Sequence, residues 1–212
     1  MTEIEPVVYV IDDEEGIRFA IKNLVESAGL RIELCSTSQE FMKKHQRDAV
    51  GCLILDVRLP GGSGLEFQRD LAAAGVEIPI IFITGHGDIP MTVQAMKAGA
   101  VDFLTKPFRE QDLFDAILKA IGRDRASRQQ HLEGTEHRKR YETLTPRERE
   151  VMKLVVAGLL NKQIAAQLGT SETTVKIQRG QVMRKMQVDS LPGLVRIAES
   201  LEVLAKSTSS SS

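Results

Sequence analysis

Three uninterrupted apolar runs constrain this chain more than any other feature: Val7–Ile11 (Val-Val-Tyr-Val-Ile), Cys52–Leu55 (Cys-Leu-Ile-Leu) and Ile78–Ile83 (Ile-Pro-Ile-Ile-Phe-Ile). Runs without apolar–polar alternation are the pattern of strands covered on both faces, as in a parallel sheet flanked by helices. Weaker runs at Arg31–Leu34 and Val101–Leu104 bring the count to five. Between them, stretches near 15–28, 38–45, 63–73, 88–98 and 110–121 carry apolar residues at helical spacing, as in Ile17, Ala20, Ile21, Leu24 and Val25. This alternation predicts an α/β fold with a doubly wound five-stranded parallel sheet.

In such sheets ligands bind beyond the carboxyl ends of the strands, where the strand order reverses. Asp12 and Asp13, Asp56, Thr84 and Lys106 all fall at or just past predicted strand ends. A cluster of three carboxylates is a hard-oxygen site suited to Mg²⁺, and an aspartate can accept a phosphoryl group once a cation offsets the incoming charge. Lys106 can then pair with the phosphoryl oxygens. Taken singly, each residue has a plainer role: Asp12 to Glu15 as acids at a helix start, Lys106 as a surface lysine, Thr84 as a strand-end hydroxyl, Phe103 as core. Their joint placement on one sheet edge carries the functional reading.

Residues 123–143 have few apolar positions and read as a linker, in part continuing the fifth helix. Beyond them the pattern is wholly helical. Thr145-Pro146-Arg147-Glu148 is a capping box with proline at the first helical position, opening a helix over about 146–157. Gly158 ends it, a second helix spans about 161–168, Gly169 ends that, and Ser171 caps a third running to about 185. Two short helices joined by a tight glycine turn describe a helix-turn-helix unit. The tail, 207–212, is serine-rich and expected to be disordered.

Charge divides the chain in the same place. Residues 1–122 carry 12 basic and 19 acidic side chains, 123–143 carry 6 and 4, and 144–212 carry 10 and 6. An acidic first part suits a cation site, and a basic last part suits a polyanion. Cys35 and Cys52 lie on different predicted strands and read as reduced core residues. No apolar run approaches the roughly 20 residues of a membrane span, and the first residues do not form a signal peptide, so a cytoplasmic protein without membrane attachment is expected.

Residues 1–122 resemble the receiver domain of two-component response regulators. Val10-Ile11-Asp12-Asp13-Glu14 matches the acidic-pocket motif, Leu55-Asp56-Val57-Arg58-Leu59-Pro60-Gly61 the phosphorylation motif, Ile83-Thr84-Gly85 the hydroxyl switch, and Leu104-Thr105-Lys106-Pro107-Phe108 the lysine motif. Residues 144–206 resemble the LuxR-type (NarL/FixJ-type) helix-turn-helix domain through Leu144–Val151, Gly158–Ala165 and Thr174-Val175-Lys176. The whole looks like a FixJ-subfamily regulator. The resemblance implies a receiver sheet of strand order 2-1-3-4-5 over 1–122, a linker over 123–143 and a four-helix DNA-binding domain over 144–206.

It further implies that a sensor histidine kinase phosphorylates Asp56, with Mg²⁺ held by Asp12, Asp13, Asp56 and the Arg58 carbonyl. Lys106 and Thr84 would close on the phosphoryl group, Phe103 would be the aromatic switch, and Lys106-Pro107 a cis peptide. Phosphorylation would promote homodimerisation through a face containing Val93 and Lys97. The dimer would bind double-stranded promoter DNA and engage RNA polymerase, as an activator. The candidate DNA contacts are Lys162, Thr173, Thr174, Lys176, Ile177, Arg179, Gly180 and Arg184, with Lys176, Ile177 and Gly180 near base edges and Lys162 and Arg179 near phosphates.

Val175, Val182 and Met186 recur on one helical face, leaving Lys176, Arg179, Arg184 and Lys185 elsewhere around the helix to reach phosphates. Two positions depart from the family: Gln178 stands where histidine is usual and Gln181 where asparagine is frequent. An aspartate-nucleophile phosphatase needs a second acid two residues after its nucleophile. Here that residue is Arg58, so the chain lacks the proton shuttle of such an enzyme.

Overall fold

A computed structural model describes residues 5–59, 61–85 and 89–209, with side chains through Leu201. The chain divides into two compact units, residues 1–127 and 128–212.

The first unit holds β1 (Val7–Ile11), α1 (Glu15–Ser27), β2 (Arg31–Cys35), α2 (Ser38–Lys44), β3 (Gly51–Asp56), β4 (Arg58–Leu59), β5 (Gly62–Ser63), α3 (Gly64–Ala73), β6 (Ile80–Thr84), α4 (Ile89–Lys97) and β7 (Asp102–Thr105). The start of α5 (Glu110–Glu142) completes it. The parallel sheet has the order β2-β1-β3-β6-β7, which is 2-1-3-4-5 once the short β4–β5 hairpin is set aside. Its five strands are those read from the apolar runs.

Both faces of the sheet are covered, which explains the lack of alternation in those runs. Val7, Tyr9, Ile11, Leu53, Leu55, Ile80 and Phe82 pack into one core with Phe41 of α2, Leu71 of α3 and Ala95 of α4. Val8, Val10, Cys52, Ile54, Ile81 and Ile83 pack into the other with Ile21 and Val25 of α1 and Leu113 and Ile117 of α5. Burial pushes the thiols of Cys35 and Cys52 up to about 11 and about 12, so both are inert, reduced core groups.

Several boundaries differ from the sequence reading. The strand expected from Ile78 begins at Ile80, because Pro79 has no N–H for the ladder; its carbonyl still accepts from Leu53 N at 2.9 Å. The segment expected as a linker is helical through Glu142, and the division between units falls inside that helix. Within the first unit, Asp124 anchors it: the carboxylate is 2% exposed and accepts from Gly51 N at 2.9 Å. The serine tail enters helix as far as Ser209, while 210–212 lie outside the described residues, as do Pro60 of the phosphorylation motif and residue 88 of the expected fourth helix.

The second unit contains α6 (Pro146–Val156), α7 (Asn161–Leu168), α8 (Glu172–Met186) and α9 (Leu191–Ser209). The capping box is present in full: Glu148 N donates to Thr145 Oγ1 and Thr145 N to Glu148 Oε2. Gly169 ends α7 at φ +63°, a conformation that favours glycine, and Ser171 caps α8 by accepting from Thr174 N at 3.1 Å. Val151, Val155, Ile164, Val175, Val182, Met186 and Leu194 form the core.

Candidate functional site

The ladder between β1 and β3 pairs Ile11 with Leu55, so the next residue on each strand, Asp12 and Asp56, stands at the same edge. Strand order reverses there, since β2 follows on one side of β1 and β6 on the far side of β3. Asp13 extends from the same loop, and the three residues each bring a carboxylate oxygen within 4.8 Å of the others. Asp12 is fully buried, Asp56 is 5% exposed, and Asp13 faces solvent.

Lys106 reaches this edge from the end of β7. Its ammonium lies 2.7 Å from Asp56 Oδ2, 2.8 Å from Asp12 Oδ2 and 3.0 Å from Glu14 Oε1. An ammonium has three N–H donors, matching three carboxylates. Burial disfavours the lysine charge, but the bonds to Asp12, Asp56 and Glu14 outweigh it and raise the Lys106 pKa above the ordinary value. For Asp12 burial wins: its carboxyl is pushed above the usual range despite the bonds from Lys106 and from Glu14 N.

The backbone completes the frame. Asp56 Oδ1 accepts from Arg58 N at 3.0 Å, and Asp12 Oδ1 from Glu14 N at 2.8 Å. Arg18 Nη1 donates to the Asp12 carbonyl at 2.6 Å. Thr84 is 1% exposed at the end of β6, and its carbonyl accepts from Lys106 N at 2.7 Å, so the hydroxyl-bearing strand and the lysine loop are directly joined. Lys106-Pro107 is cis. Phe103 is half-buried against the α3/α4-side core, its ring centroid 6.2 Å from that of Phe82.

The edge fits a hard divalent cation of the Mg²⁺ type. Three carboxylates converge, and among the described residues buried Asp12 Oδ2 has only the Lys106 ammonium, at 2.8 Å, as its partner.

Asp12, Asp13, Asp56, Thr84 and Lys106 thus share the edge expected of them. Nothing in the sequence pattern marks the contacts that Glu14, Arg18 and Gly64 make at this edge. Glu14 and Arg18 act through contacts that require α1 to be folded. At Gly64 an added Cβ would lie 2.3 Å from the Asp56 carbonyl oxygen, so only glycine lets α3 begin against the acceptor's backbone.

In the second unit, Val175, Val182 and Met186 of α8 are buried as expected, and Thr173, Lys176, Ile177, Gly180 and Arg184 are exposed. Lys162 is exposed on α7, Thr174 is partly buried, and Arg179 bonds Asn161 Oδ1 at 3.3 Å. Arg184 bonds Gln181 Oε1. Lys185 does not point out for phosphates: its ammonium is 2.6 Å from Glu148 Oε2 and 3.2 Å from the Thr143 carbonyl, tying α8 to the α6 cap. On α4, Val93 and Lys97 are exposed, and Ile89 and Met96 add apolar surface at 81% and 43% exposure. Among the described residues no helix is long and apolar enough to cross a membrane.

A doubly wound sheet with a lysine-bridged acidic edge, followed by a helix-turn-helix unit, defines a receiver coupled to a DNA-binding domain. The response regulator receiver domain family matches residues 8–118, and the luxR family of bacterial regulatory proteins matches residues 142–198. Nodulation protein W of Bradyrhizobium diazoefficiens is 51% identical over 202 residues, covering 95% of this chain and 89% of that protein. Among solved structures, response regulator StyR is 45% identical with a TM-score of 0.77, over 92% of this chain and 98% of that one. Full-length FixJ from B. japonicum is 38% identical with a TM-score of 0.57, over 95% and 99%. The chain belongs to the two-component response regulators of the FixJ type, with a receiver domain and a LuxR-type DNA-binding domain. Such proteins regulate transcription; the receiver implies a histidine kinase partner and the second domain implies DNA.

Proposed function

We propose that Asp56 accepts a phosphoryl group from a sensor histidine kinase and that this charge controls dimerisation and promoter binding. An Asp56 carboxylate oxygen attacks phosphorus, the new O–P bond forms as the P–N bond breaks, and the kinase imidazole leaves and takes up a proton. Asp12, Asp13, Asp56 and the Arg58 carbonyl would hold Mg²⁺, which supplies positive charge against the developing phosphoryl charge. Lys106, already bonded to Asp56, turns to the phosphoryl oxygens. The Thr84 hydroxyl follows, since Thr84 and Lys106 share a backbone bond, and Phe103 moves with its strand.

The observation that carries this reading is the Lys106 ammonium within 3.0 Å of Asp12, Asp56 and Glu14 at the strand-order reversal. The exposed apolar surface of α4 around Val93 and Lys97 becomes the dimer face. The dimer presents two copies of α8 to an inverted-repeat duplex. Lys162 and Arg179 serve phosphates, while Thr173, Thr174, Lys176, Ile177, Gly180 and Arg184 lie toward the groove. Bound there, the protein engages RNA polymerase and activates transcription in the cytoplasm. Acetyl phosphate with Mg²⁺ adds about 80 Da, one PO₃ unit, to the wild type and not to Asp56→Asn. Equal labelling of both proteins removes Asp56 as the acceptor.

A further inference from the structure

The three carboxylates at the acidic edge are not held alike. Asp12 and Asp56 each have one oxygen fixed by a backbone N–H, from Glu14 and Arg58, and the other fixed by the Lys106 ammonium. Asp13 is exposed, and among the described residues its carboxylate has no hydrogen bond or ion pair. Its direction is therefore set by its backbone, through the peptide that joins it to Asp12. The side chain that holds this peptide is Arg18, whose Nη1 donates to the Asp12 carbonyl at 2.6 Å.

Helix geometry explains the reach. Glu14 is the N-cap of α1, and Arg18 lies four residues on, its own N–H bonded to the Glu14 carbonyl at 3.1 Å. Helical side chains lean toward the N-terminus, so Arg18 falls back across the first turn onto the loop that carries the acids. Glu15 and Glu40 line the same groove as Arg18, yet among the described residues the guanidinium pairs with neither, and Glu40 is taken by Lys44. The charge meets a carbonyl instead, and an ionised donor makes a stronger bond to it than a neutral one. Coulomb attraction to a metal gives no reason for this arrangement, because a second cationic side chain beside Lys106 works against a bound divalent cation.

We propose that Arg18 is a positioning residue for the divalent cation: by fixing the Asp12 carbonyl it orients the Asp12–Asp13 peptide and so aims the Asp13 carboxylate at the point where Asp12 and Asp56 converge. This rests on the edge holding Mg²⁺ as set out above. Groups that orient a ligand without touching the metal change its affinity about 10–100-fold when removed. The sign of the effect separates this role from a charge effect. Removing a positive charge beside a cation site tightens the cation, whereas releasing Asp13 loosens it.

The full-length wild type, Arg18→Met and Arg18→Gln are stripped of metal and titrated with Mg²⁺ by calorimetry, with circular dichroism to show that each is folded. Both substitutions lose the reach and the charge, and Arg18→Gln keeps a polar, helix-favouring side chain in case Arg18→Met does not fold. The Mg²⁺ dissociation constant should rise about tenfold in the variants. The Mg²⁺ concentration for half-maximal phosphoryl uptake from acetyl phosphate should rise by the same factor, while the rate at saturating Mg²⁺ changes less. A merely structural role would lower the metal-free melting temperature and leave the Mg²⁺ constant of the folded protein where it was. Unchanged or tighter Mg²⁺ binding in a folded variant overturns the proposal, as does a reduced saturating rate with the half-maximal Mg²⁺ concentration unmoved. A wild type that binds no Mg²⁺ removes the cation reading with it, whereas equal binding by wild type and variants removes this inference alone.

Discussion

The Lys106 ammonium lies 2.7 Å from Asp56 Oδ2, with side chains only 11% and 7% exposed. The pair offsets charge that the edge would otherwise carry alone, because Asp12 and Asp13 face the same point. Lys106→Ala leaves those carboxylates uncompensated. In EDTA it should unfold in urea with about 3 kcal/mol less stability than wild type, the usual cost of breaking a buried pair from one side. Added Mg²⁺ should restore more stability to the variant than to the wild type. Equal response of both proteins to Mg²⁺ would show that the cation does not share the carboxylates with the lysine.

Two glycines should respond oppositely to alanine. In Gly64→Ala the new methyl falls 2.3 Å from the Asp56 carbonyl oxygen and 3.2 Å from Leu55 Cγ. Overpacking of this kind costs about 1–3 kcal/mol, and phosphoryl uptake from acetyl phosphate should slow as the acceptor is displaced. In Gly180→Ala nothing is met, so stability should rise by about 1 kcal/mol. Thermal unfolding measures both.

The α6 cap should give the second unit an acid-sensitive link. Glu148 is 7% exposed, and the Lys185 bond, then the Thr145 bonds, hold its carboxyl below the usual glutamate range despite burial. A depressed folded pKa contributes stability in full above the unfolded value near 4.5 and loses it as pH falls through the folded pKa. Amide exchange in the first turn of α6 should therefore be slower in wild type than in Glu148→Gln near neutrality. The gap should close on acidification below the ordinary glutamate pKa, and a gap independent of pH would assign the effect to shape alone.

DNA affinity should fall as salt rises, through release of counterions from neutralised phosphates. Lys162→Ala should reduce the slope of log affinity against log salt by about 1. A steeper or unchanged slope would place Lys162 away from the backbone.

Beryllofluoride should convert the wild type to a dimer in sedimentation, and Val93→Glu should stay monomeric. The substitution puts charge into the apolar strip of Ile89, Val93 and Met96. A dimer that survives it uses another face.

The sheet could be read from the chain because it is covered twice: strands such as Leu53–Leu55 show no polar face to confuse the period. The acidic edge was legible because its residues sit at strand ends, where topology decides who meets whom. The β4–β5 hairpin leaves no mark in the sequence pattern, since two-residue strands have no period. Residues 123–143 read as a linker for want of an apolar stripe, yet the helix continues through Glu142, and buried Asp124 fastens it through a polar bond that periodicity cannot register. Lys185 looked available for phosphates because its partner, Glu148, lies on another helix and charge patterning along α8 does not reveal it.

The central claim is that a phosphoryl group on Asp56 governs DNA binding, and it is tested most directly by measuring bound phosphate and duplex affinity on one sample. With acetyl phosphate and Mg²⁺, the wild type should gain about 80 Da and bind a duplex enriched from a random pool more tightly, by at least about tenfold if the two half-sites become one linked event. Asp56→Asn should do neither. A wild type that takes up the phosphoryl group while its affinity stays unchanged would contradict the account.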